Sequence, residues 1–347
     1  MRDMMRSLRW RGRRDLVVEQ VPVPSPDDDE ALIHVLWTGI CGSDLEEYLE
    51  GPVVIRGPVT LGHEIVGRVV RAARDGSGPA EGQIVVVDVV TGCGACFWCL
   101  SHEEGLCPSL VVKGQHEDGG LAERLVARAD RLIPVPEGLG AREAALAEPT
   151  AVAVRAARKF GPIDRRGGLV VGGGTIGLLV AQVLRHEGAE RVVIVEPDAD
   201  RAAVATGLGF DVVWADSPSD RAARVAALFP DRGVDLVAEC SGAPGAAAEA
   251  IALARAGGIV VLLSVTPGTT PIGTTEVVLR EKTIHGSAAH MWDTDVAPAV
   301  ALIASGAIDV KPLITAVVPL TDGAGAFELL ADRTVSNIKI LVRIGEE

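Results

Sequence analysis

The stretch that most constrains the fold runs from Leu169 to Gly177, where a short apolar run breaks into the pattern Gly-x-Gly-x-x-Gly. The apolar residues before it are typical of a buried strand and the uncharged residues after it of a helix, which is the context in which this pattern binds a dinucleotide. Gly172 permits the tight turn, Gly174 lets the backbone approach a pyrophosphate, and Gly177 lets the helix pack closely on the strand. The helix N-terminus favours the negative charge of the phosphates. The predicted cofactor contacts in this turn are Gly172, Gly174, Thr175, Ile176 and Gly177.

A second apolar run, Val192–Val195, ends in Glu196, nineteen residues after Gly177. An acidic residue there accepts hydrogen bonds from ribose hydroxyls and repels a 2′-phosphate, so the sequence predicts NAD rather than NADP. A glycine-rich turn can also be purely structural, and the position of Glu196 argues against that alternative. Arg201 either covers the adenine or is a solvated helix charge, and both interpretations stay open.

From Gly167 to about Met291 apolar strand-like runs alternate with helical ones, which is typical of a parallel α/β sheet. The predicted strands are 169–171, 192–196, 234–239 and 259–263, and the predicted helices are 174–186, 198–207, 218–229 and 243–255. Nearer the start, Asp15–Glu19 and Ala31–Trp37 read as strands, whereas Ala141–Phe160 reads as helical, and Pro149 within it can start a helix at its first turn. A further helix after residue 292 and a strand at Ile338–Ile344 complete the pattern.

Four of the six cysteines fall within fifteen residues, at Cys93, Cys96, Cys99 and Cys107. Four thiolates complete a tetrahedral zinc shell and leave no open position, so the spacing predicts a structural zinc site. An iron–sulfur cluster uses four cysteines too and is the less favoured alternative. Elsewhere, Cys41 and His63 suit zinc as ligand types, but one cysteine and one histidine do not by themselves establish a site.

These motifs together resemble the zinc-containing medium-chain dehydrogenase/reductase family, the alcohol and polyol dehydrogenases, over essentially the whole chain. The matching motifs are Cys41-Gly-Ser-Asp44, Gly62-His-Glu-x-x-Gly67, the four-cysteine segment, Glu148-Pro149 and the Gly172–Gly177 turn. Within the family, the Cys41–Pro52 segment is most similar to 2,3-butanediol dehydrogenases, with sorbitol and threonine dehydrogenases as near relatives. The resemblance implies a GroES-like, β-rich catalytic domain at 1–150 and 292–347 and a Rossmann NAD-binding domain at 151–291.

The resemblance also implies a second, catalytic zinc that polarises the substrate oxygen while NAD exchanges hydride. Cys41 and His63 would hold this zinc, with Glu64 or Glu148 completing its shell, and Ser43 would relay the hydroxyl proton. Two plainer interpretations remain: Glu148 as a helix-start carboxylate favoured by the helix dipole, and Ser43 as a turn residue bonded to Asp44.

The substrate that this resemblance implies is a secondary alcohol or ketone, in particular a small diol, polyol or hydroxyketone. Two departures bear on it: Glu46 stands where butanediol dehydrogenases usually have histidine, and the Gly51–Pro58 segment lacks their longer loop. A biosynthetic dehydrogenase of a larger cyclic or sugar-like alcohol is therefore an alternative. So is a non-catalytic, zinc-stabilised dinucleotide-binding protein, although such a protein has no need of Cys41, His63 and Glu148 together.

A formal charge of −14 argues against nucleic acid as a partner, because its phosphates would be repelled. The two long uncharged runs, Gly167–Leu184 and Ala256–Thr275, contain the glycine turn and two prolines respectively, so neither is predicted to span a membrane. We expect a cytoplasmic protein, and the family resemblance implies a homo-oligomer, either a dimer or a tetramer.

Overall fold

The computed structural model describes residues 3–265, 269–332 and 334–346. Its strands are β1 (Met4–Gly12), β2 (Asp15–Pro22), β3 (Glu30–Gly39), β4 (Val59–Thr60), β5 (Glu64–Arg71), β6 (Ile84–Val87), β7 (Val90–Thr91), β8 (Val111–Val112), β9 (Arg124–Arg128), β10 (Leu132–Pro134), β11 (Gly167–Val171), β12 (Arg191–Val195), β13 (Asp211–Val213), β14 (Val234–Glu239), β15 (Ala254–Leu262), β16 (Thr283–Gly286), β17 (Ile314–Pro319) and β18 (Lys339–Arg343). Its α-helices are α1 (Gly42–Glu50), α2 (Phe97–Leu100), α3 (Ala141–Ala144), α4 (Ala147–Lys159), α5 (Thr175–His186), α6 (Ala199–Gly207), α7 (Pro218–Leu228), α8 (Ala246–Leu253), α9 (Thr274–Leu279), α10 (Ala297–Ala304) and α11 (Gly323–Ala331). No helix among these residues is long and apolar enough to cross a membrane.

The chain forms two compact units. The first comprises the chain up to Ala151, His290–Ser305 and the chain from Leu313 onward; the second comprises Val152–Ala289 and Gly306–Pro312.

The first unit is built mainly of β-sheet. Its largest sheet has the order β10-β6-β5-β3-β18-β17, with β9 also paired to β3, and a smaller sheet has the order β2-β1-β4. Strand β18 lies between β3 and β17, so a strand from late in the chain is an interior strand of a sheet begun by the first forty residues. The core between these elements includes Leu8, Trp10 and Phe327, all buried. Both regions of the sequence are therefore required to complete this unit.

The second unit is a six-stranded sheet in the order β13-β12-β11-β14-β15-β16, and all of its pairings are parallel. This is the order of a doubly wound dinucleotide-binding sheet, so the predicted fold class is confirmed. Strands β11, β12 and β14 are buried almost throughout, which explains their continuous apolar runs. The sequence did not predict the edge strands β13 and β16, because both are short and partly polar.

The segment predicted to be helical, Ala141–Phe160, forms two helices, α3 and α4, with Pro149 in the first turn of the second. Pro149 has no N–H to donate to the carbonyl four residues earlier, so a helix running through from α3 would lose a hydrogen bond there. The chain instead turns after α3 and starts a new helix, whose first turn tolerates proline. The break puts Glu148 in the first turn of α4.

Candidate metal centres and dinucleotide site

Cys41 lies at the junction where β3 ends and α1 begins. It is the N-cap residue of α1, and its backbone N–H donates a hydrogen bond of 3.0 Å to Asp44 Oδ2. An acidic residue in the first turn suits the positive end of the helix dipole, so this short sequence favours a helix start here. Ser43 lies in the same first turn and is partly buried. The turn thus holds the Asp44 carboxylate against the backbone of Cys41, with Ser43 between them in the sequence.

His63 is buried beside this turn. Its Nδ1 lies 3.3 Å from Asp44 Oδ1, and its ring contacts the Cys41 thiol. Burial lowers the pKa of His63, but the Asp44 carboxylate and the Cys41 sulfur together raise it well above its ordinary value. A carboxylate on one ring nitrogen is the usual way in which proteins orient a metal-binding histidine. The sequence analysis did not single out Asp44, although it belongs to the Cys41–Asp44 motif.

Glu64, at the start of β5, is also buried. Its Oε1 accepts a hydrogen bond of 2.6 Å from Lys339 Nζ, which also donates to the Ile40 carbonyl at 2.9 Å. Its Oε2 has no hydrogen-bond partner and presses against Gly39, where an added Cβ would lie 1.9 Å from it. Burial raises the pKa of Glu64, and Lys339 only partly offsets this. Glu64 is therefore held in an ion pair with one oxygen still unsatisfied.

Glu148 lies in the same unit as Glu64 and His63, and it is close enough to both for their charges to affect one another's pKa. Its Oε1 lies 3.3 Å from His290 Nδ1, and Nε2 of the same ring lies 2.7 Å from Asp88 Oδ1. Burial lowers the pKa of His290, but the two carboxylates raise it to about 10. Neither His290 nor Asp88 was predicted, because isolated polar residues carry no local pattern.

The donor set fits a divalent cation. The buried carboxylates of this region outnumber its Lys and Arg side chains; these carboxylates are Asp44, Glu64, Asp88, Glu104 and Glu148. The basic partners with permanent charge are Lys339 and Arg131, and the raised pKa values of His63 and His290 show that the surroundings attract further positive charge. A thiolate, an imidazole and a carboxylate are ordinary zinc ligands, and a zinc ion would be held by Cys41, His63 and Glu148.

The four-cysteine segment forms a second candidate metal centre. The sulfur atoms of Cys93, Cys96, Cys99 and Cys107 all lie within 4.8 Å of one another. Tetrahedral zinc with bonds of about 2.3 Å separates its sulfurs by roughly 3.8 Å, so little movement is needed to bind the ion. Among the described residues this is the one group of three or more candidate ligands so close together.

Backbone N–H groups surround these thiols and change their acidity. Hydrogen bonds from the N–H groups of Ala95 and Cys96 lower the pKa of Cys93 to about 6, whereas burial and the neighbouring Cys96 raise the pKa of Cys99 to about 12. Cys107 Sγ accepts from the N–H of Cys93 at 3.3 Å. Donors of this kind stabilise thiolate, the form that binds zinc.

The glycine turn of the second unit has the conformation that the sequence predicts. Gly172 has φ +103°, and a Cβ there would lie 2.9 Å from Ser241 Cα. A Cβ on Gly177 would lie 1.9 Å from the Gly172 carbonyl oxygen, so only glycine allows α5 to pack this closely. Thr175 and Ile176 form the first residues of α5 and are partly buried, with Gly174 as the N-cap.

Glu196 follows directly on β12 and is buried against this turn. Its Oε2 accepts a hydrogen bond of 2.5 Å from the N–H of Gly173, and its Oε1 accepts one of 2.8 Å from the N–H of Asp198. Arg201, on α6, reaches the same turn, because its Nη1 would lie 4.0 Å from a Cβ placed on Gly174. The acidic and the basic side chain therefore both face the glycine turn.

The chain is similar to known zinc-binding dehydrogenases over most of its length. Residues 27–137 match the alcohol dehydrogenase GroES-like domain, and residues 175–305 match the zinc-binding dehydrogenase family. The chain is 31% identical to (R,R)-butanediol dehydrogenase of Bacillus subtilis, over 98% of this chain and 99% of that one. It is 32% identical to L-threonine 3-dehydrogenase of Pyrococcus furiosus, over 85% and 86%. A crystal structure of a zinc-binding dehydrogenase of Sinorhizobium meliloti bound to NADP superposes with a TM-score of 0.92 at 30% identity, covering 98% and 99%.

Proposed function

Because the chain belongs to the zinc-binding dehydrogenase family, we propose that it is an NAD-linked dehydrogenase that interconverts a secondary alcohol and its ketone. The observation that carries this proposal is the group formed by the partly buried Cys41 and the buried His63 and Glu148, three zinc-type ligands in one unit of a chain whose other unit holds a dinucleotide turn. A protein that only bound a dinucleotide would have no use for that group.

Each side chain then has a definite role. When bound, zinc supplies Lewis-acid polarisation of the substrate oxygen, and the nicotinamide supplies the hydride acceptor. Cys41, His63 and Glu148 would hold the metal, and the Asp44 carboxylate, 3.3 Å from His63 Nδ1, would help to orient the ring. Ser43, in the first turn of α1, would relay the proton of the substrate hydroxyl, accepting it while passing its own hydroxyl proton toward the nicotinamide ribose and solvent.

Glu64 lies near the metal ligands but forms an ion pair with Lys339. Glu64 has the charge of Lys339 to itself at 2.6 Å, whereas the His290 ring beside Glu148 is shared with Asp88 and is closer to Asp88, so Glu148 keeps more of its negative charge for a zinc ion. We therefore assign the third protein ligand to Glu148 rather than to Glu64.

We propose that the substrate is a small diol, polyol or hydroxyketone. The butanediol and threonine dehydrogenases to which the chain is similar are both named for compounds with a secondary alcohol beside a second polar group. Glu46, in α1, stands one turn after Ser43, where its carboxylate can accept a hydrogen bond from a second hydroxyl. A site built to bind a hydroxyl discriminates strongly against analogues that lack it.

We also propose that the protein is a homo-oligomer. Strand β16 is the edge of its sheet, and nearby apolar side chains are exposed: Val265 (83%), Val278 (70%) and Leu279 (76%). An exposed edge strand beside apolar side chains is suited to pairing with a second copy.

The six cysteines are all free thiols, which fits a reducing compartment such as the cytoplasm.

Metal analysis and turnover test the proposal together. We expect two zinc ions per chain in the wild type, and one in Cys41→Ser, which should stay folded and lose nearly all turnover. Cys99→Ser should lose the other zinc and mainly reduce thermal stability. Cys240→Ser is the matched control, because Cys240 lies in the second unit and belongs to neither cluster. Full turnover in Cys41→Ser would exclude the catalytic assignment.

A further inference from the structure

A line of buried charged side chains leads from the four-cysteine cluster to Glu148. In order, its members are Glu104, Arg131, Asp88, His290 and Glu148. Each is at most 8% exposed, and acidic and basic groups alternate along the line. Groups buried in this way lose hydration, so each depends on its neighbours for hydrogen bonds and charge.

The first link ties Glu104 to the cysteine cluster. Glu104 Oε1 accepts a hydrogen bond of 2.6 Å from the N–H of Gly92, the residue before Cys93. A Cβ placed on Gly92 would lie 2.6 Å from Glu104 Cγ and 2.7 Å from Cys99 Sγ, so the carboxylate and the sulfur pack on the same backbone. The Glu104 carbonyl also accepts from the N–H of Cys107 at 2.9 Å. The position of Glu104 therefore depends on how the cysteines are arranged.

Arg131 forms the second link and joins two carboxylates. Its two terminal nitrogens each donate a bond of 2.9 Å to Glu104, and Nη1 also reaches Asp88 Oδ2 at 3.3 Å. The guanidinium stacks on Trp292, 4.8 Å from the ring centre. The bidentate pair and the aromatic ring hold the planar guanidinium in place, so a shift of the Glu104 carboxylate would move the guanidinium and with it the Asp88 carboxylate.

His290 forms the last link and places Glu148. Its ring lies between Asp88 Oδ1, at 2.7 Å, and Glu148 Oε1, at 3.3 Å. Since this contact uses Oε1, the second carboxylate oxygen of Glu148 can bind a cation. Partners of this kind, one shell beyond the ligands, typically change metal affinity by about 10–100-fold when they are removed.

We propose that this line couples the two metal sites, so that an intact four-cysteine cluster positions Glu148 and thereby strengthens the hold on the metal at Cys41 and His63. This inference rests on the proposed function, because it takes Glu148 as a ligand. Asp88, Arg131 and His290 are then positioning residues, which act on the metal through Glu148.

Release of zinc to the coloured chelator 4-(2-pyridylazo)resorcinol tests this coupling in the full-length protein. The release phase that is missing in Cys41→Ser identifies the catalytic site. We expect His290→Gln to accelerate that phase by about 10–100-fold while the four-cysteine phase keeps its rate. We expect Glu104→Gln, which retains all cysteines, to accelerate the same phase. Glu103→Gln and Arg128→Gln, substitutions beside the line, should leave it unchanged.

Combining variants separates coupling from general loosening of the fold. In the His290→Gln background, Glu104→Gln should cause no further acceleration, because the link it acts through is already broken. Additive effects, or an unchanged catalytic phase in Glu104→Gln, would overturn the coupling but leave the dehydrogenase proposal intact. If Cys41→Ser loses no zinc, both proposals fail together. Matching thermal unfolding midpoints for wild type and Glu104→Gln would show that the faster release does not come from unfolding.

Discussion

Replacing Glu196 by glutamine tests the choice between NAD and NADP at a single carboxylate. Glu196 is only 5% exposed, and each of its oxygens accepts one backbone N–H, from Gly173 and from Asp198. An ionised carboxylate can accept about four hydrogen bonds, so about two remain for the hydroxyls of a ribose. Glutamine has the same shape but only one accepting oxygen, so its NH₂ group would face one of the two N–H donors.

The size of the effect follows from these bonds. A ribose 2′-hydroxyl donates to the carboxylate, whereas a 2′-phosphate offers no such donor at neutral pH and is repelled. The loss of one hydrogen bond to a charged group, about 1.5–3 kcal/mol, corresponds to roughly 10–100-fold weaker binding of NADP than of NAD. In Glu196→Gln we expect NAD to bind more weakly and the difference between the two cofactors to shrink to a few-fold.

Arg201 acts in the opposite direction, because an arginine near this turn can pair with a 2′-phosphate. We therefore expect Arg201→Gln, made in the Glu196→Gln background, to weaken NADPH binding much more than NADH binding. Nicotinamide fluorescence titrations with both cofactors measure these ratios, and kcat/KM values check them. Glu187→Gln, an exposed carboxylate on the same unit, is the control. Equal affinity of the wild type for NADH and NADPH would refute the argument.

Three further predictions concern the metal site, the sheet and the substrate. Gly39→Ala should force the Glu64 carboxylate out of place, lower the free energy of unfolding by about 1–3 kcal/mol and speed release of the catalytic zinc. Denaturant titrations measure the loss, and Gly12→Ala is the control, because a Cβ there meets nothing within 4 Å. Burial raises the pKa of Asp235, but the Gly167 N–H and nearby arginines lower it by more, so the pKa lies below its ordinary value. The ionised carboxylate therefore stabilises the fold fully at neutral pH, and this contribution is lost as the pH falls below about 4. Urea titrations should accordingly show that Asp235→Asn costs about 1–3 kcal/mol at pH 7 and less at pH 3. Finally, 2,3-butanediol should exceed 2-butanol by at least about tenfold in kcat/KM; a preference for simple or for large cyclic alcohols would contradict the diol proposal.

Features set by neighbouring residues could be predicted from the sequence. The glycine turn and the four cysteines each occupy one short segment, and their spacing alone determines which groups can meet. The long parallel strands were predicted for a similar reason, because strands buried on both faces are apolar throughout. In contrast, helical periodicity does not give the exact point of the break between α3 and α4, which depends on one missing hydrogen bond at Pro149.

The support around the candidate catalytic metal could not be predicted, because its contacts join distant parts of the chain. Asp88 and His290 are 202 residues apart, and Glu64 and Lys339 are 275 apart. No spacing rule links such pairs, and each residue by itself is an unremarkable polar side chain. Glu148 itself was assigned only through the family resemblance, since its position at a helix start has an ordinary explanation.

Lys339 shows what a sequence can still indicate in such a case. It opens β18, whose other members before Arg343 are Ile, Leu and Val, and the strand is an interior one, paired on both sides by β3 and β17. A lysine there cannot reach water, and burying its charge is strongly unfavourable unless a partner is present. A charged residue in a central apolar strand therefore predicts a buried acidic partner, although not which one. Here that partner is Glu64, and the ion pair leaves Glu148 as the carboxylate for the metal.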